Sequence, residues 1–273
     1  MKSIKIFDLQ KQYSVISKDI KKDIDKVLES GQYILGKNVK LLENKIAKFL
    51  NINYAISCNS GTDALILSLK AQGINEGDEV ITTPFTYFAT IEAIIHVGAK
   101  PIFIDINPHT YNINHKKIEN VITRKTKALL IVHLFGQACN MTEIQKICKK
   151  NKLKLIEDCA QSFGAKFNNK QTGTFGDFGC FSFFPTKNLG CYGDGGIITT
   201  NSSQNAKKLQ MLRNHGGLER NKHIYVGYNS RLDEIQAAIL LVKLKYIRKY
   251  INQRRTLAKV YSDNINNNKI MIP

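Results

Sequence analysis

Short apolar runs alternate with stretches of helical spacing along most of the chain. Lys18–Leu28 and Val39–Leu50 repeat apolar residues at three- and four-residue intervals and predict helices, with Gly31 and Gly36 as breaks between them. Ile4–Leu9 reads as a short extended lead-in. Tyr54–Cys58 is a strand-like run, followed by the polar Asn59-Ser60-Gly61-Thr62 and a helix from Asp63 to Ala71 that stops at Gly73. The alternation continues with a strand at Glu79–Thr83, a helix at Phe88–His96 and a strand at Pro101–Asp105. Ile118–Val121 looks helical, Ala128–Leu134 is an apolar strand, Met141–Lys150 a helix and Leu153–Glu157 another strand. Phe178–Phe183 and Gly195–Thr199 read as two further strands around a glycine-rich loop, able to pair with each other as an antiparallel edge. Leu232–Tyr261 reads as one long helix, rich in Lys and Arg after Lys243. Fully apolar strands alternating with helices predict an α/β fold of three layers, α/β/α, around a mainly parallel sheet.

Composition narrows the class without naming a chemistry. The 273 residues are 43% hydrophobic and 23% charged, ordinary for a globular protein, which excludes wholesale disorder and a disulfide mini-protein. No run approaches the ~20 apolar residues of a membrane span, and the Met1-Lys2-Ser3 start carries no secretory core, so the expected compartment is the cytoplasm. Six cysteines are scattered with no C-x-x-C pair and read as reduced, mostly buried thiols rather than a zinc site. Forty Lys and Arg against 22 Asp and Glu give a net charge of +18, which suits polyanionic partners. Many of the lysines fall on solvated helix faces, and no recognised nucleic-acid-binding motif accompanies them, so no nucleic-acid partner is expected.

Five places hold residues suited to chemistry. Lys187 follows an apolar strand and precedes the glycine-dense Gly190–Gly196 loop. Desolvation there lowers an amine's pKa and favours Schiff-base formation. Asp158 ends a buried strand, where open α/β sheets bind ligands, and a carboxylate there is able to keep a pyridine nitrogen protonated. The Gly61-Thr62-Asp63 turn offers helix N-terminal amides to a phosphate, with Ser182 as a further donor. Tyr87 follows a strand end and suits stacking on a ring, although spacing alone does not choose among Phe85, Tyr87 and Phe88. Asn229 and Arg231, before the last long helix, suit an anion. Each position alone also fits a structural role: a helix cap, a core aromatic or a surface lysine.

Their joint order is more specific. Asn59–Leu65, Thr83–Tyr87, Val132–Gln137, Glu157–Ser162, Phe181–Lys187 and Gly227–Leu232 together make the chain resemble a fold-type-I pyridoxal-phosphate (PLP) enzyme, and more closely the DegT/StrS family of nucleotide-sugar aminotransferases. Phe7–Gln10, Gly31–Gly36 and Leu189–Gly196 resemble most the members that aminate UDP-2-acetamido-2-deoxy-3-oxo-glucuronate. The resemblance implies a PLP cofactor held by Gly61, Thr62, Asp63, Tyr87, Asp158, Gln161, Ser182 and Lys187, with Lys187 as catalytic base and no metal. It implies Asn229 reaching the cofactor of a neighbouring subunit in a homodimer, and Arg231 and His133 facing the substrate. It further implies glutamate as amino donor and a nucleotide-sugar acceptor in surface-glycan synthesis. Residues 1–245 are then the PLP-binding large domain and 246–273 the start of a small C-terminal domain that is largely missing. On that expectation an inactive remnant is an alternative. A sugar dehydratase of the same family is another, but those enzymes carry histidine where this chain has Lys187.

Overall fold

The computed structural model describes residues 7–219, 221–270 and 272. Two amphipathic helices lead: α1 (Leu9–Ser30) ends at a left-handed Gly31, and α2 (Lys37–Leu50) follows after a short loop. Leu9 is helical, while Ile4–Ile6 of the expected extended lead-in lie outside the described residues. The α/β alternation begins with β1 (Tyr54–Cys58), α3 (Gly61–Ala71), β2 (Glu79–Thr82), α4 (Ala89–His96) and β3 (Lys100–Phe103). It continues through β4 (Thr126–Val132), α5 (Met141–Asn151), β5 (Lys154–Asp158), a small hairpin of β6 (Lys166–Phe167) and β7 (Lys170–Gln171), β8 (Phe178–Ser182) and β9 (Gly196–Thr200). Three helices close the chain: α6 (Ser203–Leu212), α7 (Glu234–Leu244) and α8 (Ile247–Asn264).

The main sheet has seven strands in the order β1-β9-β8-β5-β4-β2-β3. β9 runs antiparallel to both β8 and β1, and the other neighbours pair in parallel. The antiparallel strand therefore sits one place in from the edge. This arrangement fixes the site: β1, β2, β4, β5 and β8 all point their C-terminal ends to the same side, where open sheets bind ligands.

Alternation along the strands splits the core into layers. Leu130 of β4 packs with Leu65, Leu69 and Ile94 of α3 and α4, whereas its neighbours Leu129 and Ile131 pack with Met141 and Ile144 of α5. A third cluster joins Leu42 and Ile46 of α2 to Leu240 and Leu241 of α7 and to Phe181 and Ile197 of the sheet. This is the three-layer arrangement that the alternation predicts.

Two helical details depart from the sequence pattern. The segment Leu232–Tyr261 is two helices, not one: Lys245 and Tyr246 donate to the carbonyls three residues back, at 3.2 and 3.0 Å, and this tightened turn ends α7. The reason is packing. α7 is apolar nearly all round and buried against α1 and α2, while α8 is polar, and Ile247 is its one buried residue. The other departure is α6, whose Ala206, Leu209, Met211 and Leu212 are buried and which the strand-by-strand pattern left unassigned.

Candidate active site

A cavity of about 430 Å³ opens at the C-terminal side of the sheet. Gly61, Thr62, Tyr87, Asp158, Gln161, Ser182 and Lys187 all line it, although they come from segments more than a hundred residues apart. Thr86, Thr186 and Asp194 also line it.

The floor is built from β5 and the start of α4. Asp158 is the last residue of β5, buried, and pairs in register with Cys180 of β8. Burial pushes its carboxyl above the usual range; the Ala160 N–H, the Thr90 hydroxyl and the nearby Lys187 pull the other way. Ala160 N–H donates to Oδ1 at 3.1 Å and Thr90 Oγ1 donates to Oδ2 at 2.8 Å.

Lys187 stands in a loop that folds back on itself. Its backbone N–H donates to the Phe184 carbonyl at 2.9 Å, and Cys191 N–H donates to the Phe183 carbonyl at 2.8 Å. Gly190 is required for that return, because a Cβ there would stand 2.5 Å from the Pro185 carbonyl oxygen. Partial burial lowers the Lys187 amine below the ordinary lysine value, and the Asp158 charge opposes the shift. A half-desolvated amine with a carboxylate nearby is suited to condense with an aldehyde and then to carry a proton.

The end of the cavity made by α3 suits a phosphate. Ser60 caps α3, its Oγ accepting from Asp63 N–H at 3.0 Å and its carbonyl from Ala64 N–H at 3.0 Å. Gly61 and Thr62 N–H have no protein acceptor among the described residues. They face the Ser182 hydroxyl across a gap that admits no side chain on Gly61. Free helix N-terminal amides, hydroxyls and the helix dipole together favour an anion. Asp63 differs from its expected role: the Ser60 cap already takes its N–H, and it does not line the cavity.

The remaining polar wall is oriented by the backbone. Phe135 N–H donates to Gln161 Oε1 at 2.6 Å, which leaves the Gln161 Nε2 hydrogens as the donors free for a ligand. Tyr87 is 76% exposed at the rim. It is the one of the three candidate aromatics that lines the cavity; Phe85 leans instead on Tyr111, ring centres 6.0 Å apart.

His133 is corrected by the structure. Expected to face the substrate, it is completely buried, with both ring nitrogens engaged. Cys139 N–H donates to Nδ1 at 3.1 Å, so the ring proton sits on Nε2 and is donated to Glu157 Oε2 at 2.9 Å. Glu157 also accepts from the N–H groups of Gly173, Phe175 and Gly176 at 2.7–2.8 Å. The buried trio His133, Glu157 and Cys159 resembles a ligand set, but the carboxylate is filled by four donors and serves to bind β4, β5 and the 173–176 loop together.

Asn229 and Arg231 do not line the cavity of their own chain. Asn229 is exposed, its backbone bridged to Asn214, and Arg231 Nη1 reaches Asn214 Oδ1 at 3.4 Å. Sequence reasoning also missed Thr86 and Thr90. Their four-residue spacing, Thr86 ahead of α4 and Thr90 in its first turn, is a signal that both hydroxyls share one side.

The residues present fit pyridoxal phosphate. An anion cradle, a buried carboxylate, an oriented amide donor and a desolvated amine line one space of suitable volume. Comparison with known proteins agrees. Residues 14–273 match the DegT/DnrJ/EryC1/StrS aminotransferase family. The chain is 46% identical over 258 residues to the UDP-2-acetamido-2-deoxy-3-oxo-D-glucuronate aminotransferase of Pseudomonas aeruginosa, covering 94% of this chain and 72% of that one. It is 46% identical over 270 residues to the dTDP-3-amino-3,6-dideoxy-alpha-D-galactopyranose transaminase of Aneurinibacillus thermoaerophilus, covering 99% and 74%. The crystal structure of NtdA from Bacillus subtilis with bound cofactor PMP is 35% identical, with a TM-score of 0.90 over 96% of this chain and 60% of that one. The chain thus belongs to the DegT/DnrJ/EryC1/StrS aminotransferase family and is a pyridoxal-phosphate-dependent aminotransferase.

Proposed function

We propose that this enzyme aminates the keto group of a nucleotide-linked sugar, with UDP-2-acetamido-2-deoxy-3-oxo-glucuronate as the acceptor, its 3-keto position as the reacting centre and glutamate as the donor. The observation that carries the reading is the placement of Lys187 and Asp158 on one cavity beside the α3 phosphate cradle. The choice of sugar rests on the Phe7–Gln10, Gly31–Gly36 and Leu189–Gly196 segments and on the likeness to the Pseudomonas enzyme. The net charge of +18 accords with an acceptor that carries a diphosphate and a carboxylate.

Bound in this site, the cofactor supplies an electron sink for the pair left when the substrate carbon gives up its proton. The protein does the rest. Asp158 would face the pyridine nitrogen and keep it protonated. Gly61 and Thr62 N–H, the Thr62 hydroxyl and Ser182 would hold the phosphate. Gln161 would donate from Nε2 to the ring oxygen, and Tyr87 would cover the ring and exclude water. Lys187, with its amine free, would act as the general base that takes the donor Cα proton and holds it within the site. Once the donor has left as its 2-oxo acid, the keto-sugar would meet the same groups, and Lys187 would deliver a proton to the carbon that had carried the keto oxygen, that oxygen leaving as water. Asn229 and Arg231, which do not line their own cavity, complete the site of a second copy in a homodimer, Asn229 at the phosphate and Arg231 at the anionic substrate.

The decisive experiment loads the protein with pyridoxamine phosphate and adds a panel of UDP-, dTDP- and GDP-linked keto-sugars. The UDP-3-oxo-glucuronate is expected to restore a borohydride-sensitive visible band, and Lys187→Ala to abolish it. Restoration by another sugar alone overturns the substrate assignment. Mixing Lys187→Ala with Asn229→Ala chains tests the shared site: a homodimer regains one intact site per mixed dimer, roughly a quarter of wild-type activity. No recovery overturns the exchange.

A further inference from the structure

Asp158 does not stand alone on the cavity floor. Thr90, fully buried in α4, donates its hydroxyl to Oδ2 at 2.8 Å. Thr86 Oγ1 lies 2.8 Å from Thr90 Oγ1 and lines the cavity. The direction of this chain follows from counting protons. An ionised carboxylate only accepts, so the single Thr90 hydroxyl hydrogen goes to Asp158. Thr90 then accepts, and the hydrogen between the two threonines belongs to Thr86. The Thr86 oxygen is left facing the cavity as an acceptor.

We propose that Thr90 and Thr86 are positioning residues, a polarised hydroxyl relay that fixes the Asp158 carboxylate for the pyridine nitrogen. This rests on the assignment of Asp158 to that nitrogen. Oδ1 is fixed by Ala160 N–H at 3.1 Å and Oδ2 by Thr90, so the carboxylate plane is set before any ligand arrives. A buried, charge-bearing acceptor with two charge-assisted donors is held in one orientation and kept ionised against its desolvation. Polarisation along the Thr86–Thr90 link strengthens the last bond of the relay. Lys187 is the charged neighbour that favours the ionised form, with the His133 ring and, in register, Cys180 as the other titratable groups close by.

The test is the dissociation constant of pyridoxal phosphate, measured by equilibrium dialysis on the full chain, beside the melting temperature of the cofactor-free protein. Thr90→Val is expected to weaken binding about tenfold, Thr90→Ser to stay within about threefold of wild type, and Thr86→Val to lose about threefold. The double variant Asp158→Asn/Thr90→Val is expected to bind no more weakly than Asp158→Asn, because the threonine acts through the carboxylate. Additive losses, or a Thr90→Val protein that binds within twofold of wild type at an unchanged melting temperature, overturn the relay. Should Thr90→Val fail to fold, Thr86→Val decides, since it leaves the buried bond in place: unchanged binding rejects the relay and the threefold loss supports it. A wild-type protein with no borohydride-sensitive band rejects instead the cofactor assignment itself.

Discussion

Gly61, the first residue of α3, sits against Ser182, the last of β8, so closely that a Cβ on Gly61 would lie 2.6 Å from the Ser182 Cβ. Two elements distant in sequence are thereby pressed together, and the helix amides and the serine hydroxyl face the same space. Gly61→Ala forces them apart, because the contact is with Cβ and backbone rather than a flexible side-chain end. Overpacking of this kind costs about 1–3 kcal/mol. The expected outcome is a folded protein whose pyridoxal phosphate affinity falls at least about tenfold, read by equilibrium dialysis.

Glu157 is predicted to be structural. Its two oxygens accept four hydrogen bonds, from His133 Nε2 and from the N–H groups of Gly173, Phe175 and Gly176. In Glu157→Gln either placement of the amide turns its NH₂ toward other donors. Urea unfolding of the cofactor-free protein is expected to show a loss of about 3 kcal/mol. An unchanged midpoint would contradict the geometry.

The reactivity of Lys187 gives a prediction with a definite sign. Burial lowers its pKa and the Asp158 charge raises it. Reductive methylation of the cofactor-free chain, followed residue by residue with mass spectrometry, is expected to give Lys187 a midpoint below the ~10.4 of a free lysine. Removing the opposing charge in Asp158→Asn lowers that midpoint further. A rise in the variant is the contrary result.

Lys243 of α7 is buried over the Tyr192 ring, its amine 4.6 Å from the ring centre, and burial lowers its pKa to about 8. The cost of holding this charge is fully present below pH 8. It fades as the pH rises to the unperturbed value of 10.5, since over that range the unfolded chain binds the extra proton. Lys243→Met is therefore expected to be more stable than wild type at pH 7 by about 3 kcal/mol, less the lost cation–π contact. The difference should shrink between pH 8 and 10.5. Parallel denaturation curves at pH 7 and 10 test this.

Much of the site was legible because its residues sit where strands end. The strand that Asp158 ends, and the apolar strand and glycine-dense loop on either side of Lys187, were visible from apolar runs and glycines, and the fold brings both residues to one cavity. His133, which the resemblance placed at the substrate, is turned inward to Glu157. Sequence position does not say which face of the sheet edge a side chain takes. Thr90 was missed because a threonine at the start of a helix carries no sign of the carboxylate it serves 68 residues later.

Local pattern by itself determined the seven strands of the main sheet, though not the β6–β7 hairpin, most helices, the α/β class and the residue types that suit a phosphate, a ring nitrogen and an aldehyde. These follow from periodicity, capping and turn chemistry, all of which act over a few residues. Only the tertiary structure decided what meets what. Glu234, for example, opens α7 yet caps a different helix: its carboxylate accepts from Asn38 and Val39 N–H of α2 at 2.8 and 2.9 Å. Gly61 meets Ser182 and Thr90 meets Asp158 by the same kind of long-range placement. Strand order and helix packing set these pairings, and both depend on the burial of apolar faces across the whole chain rather than on any segment of it.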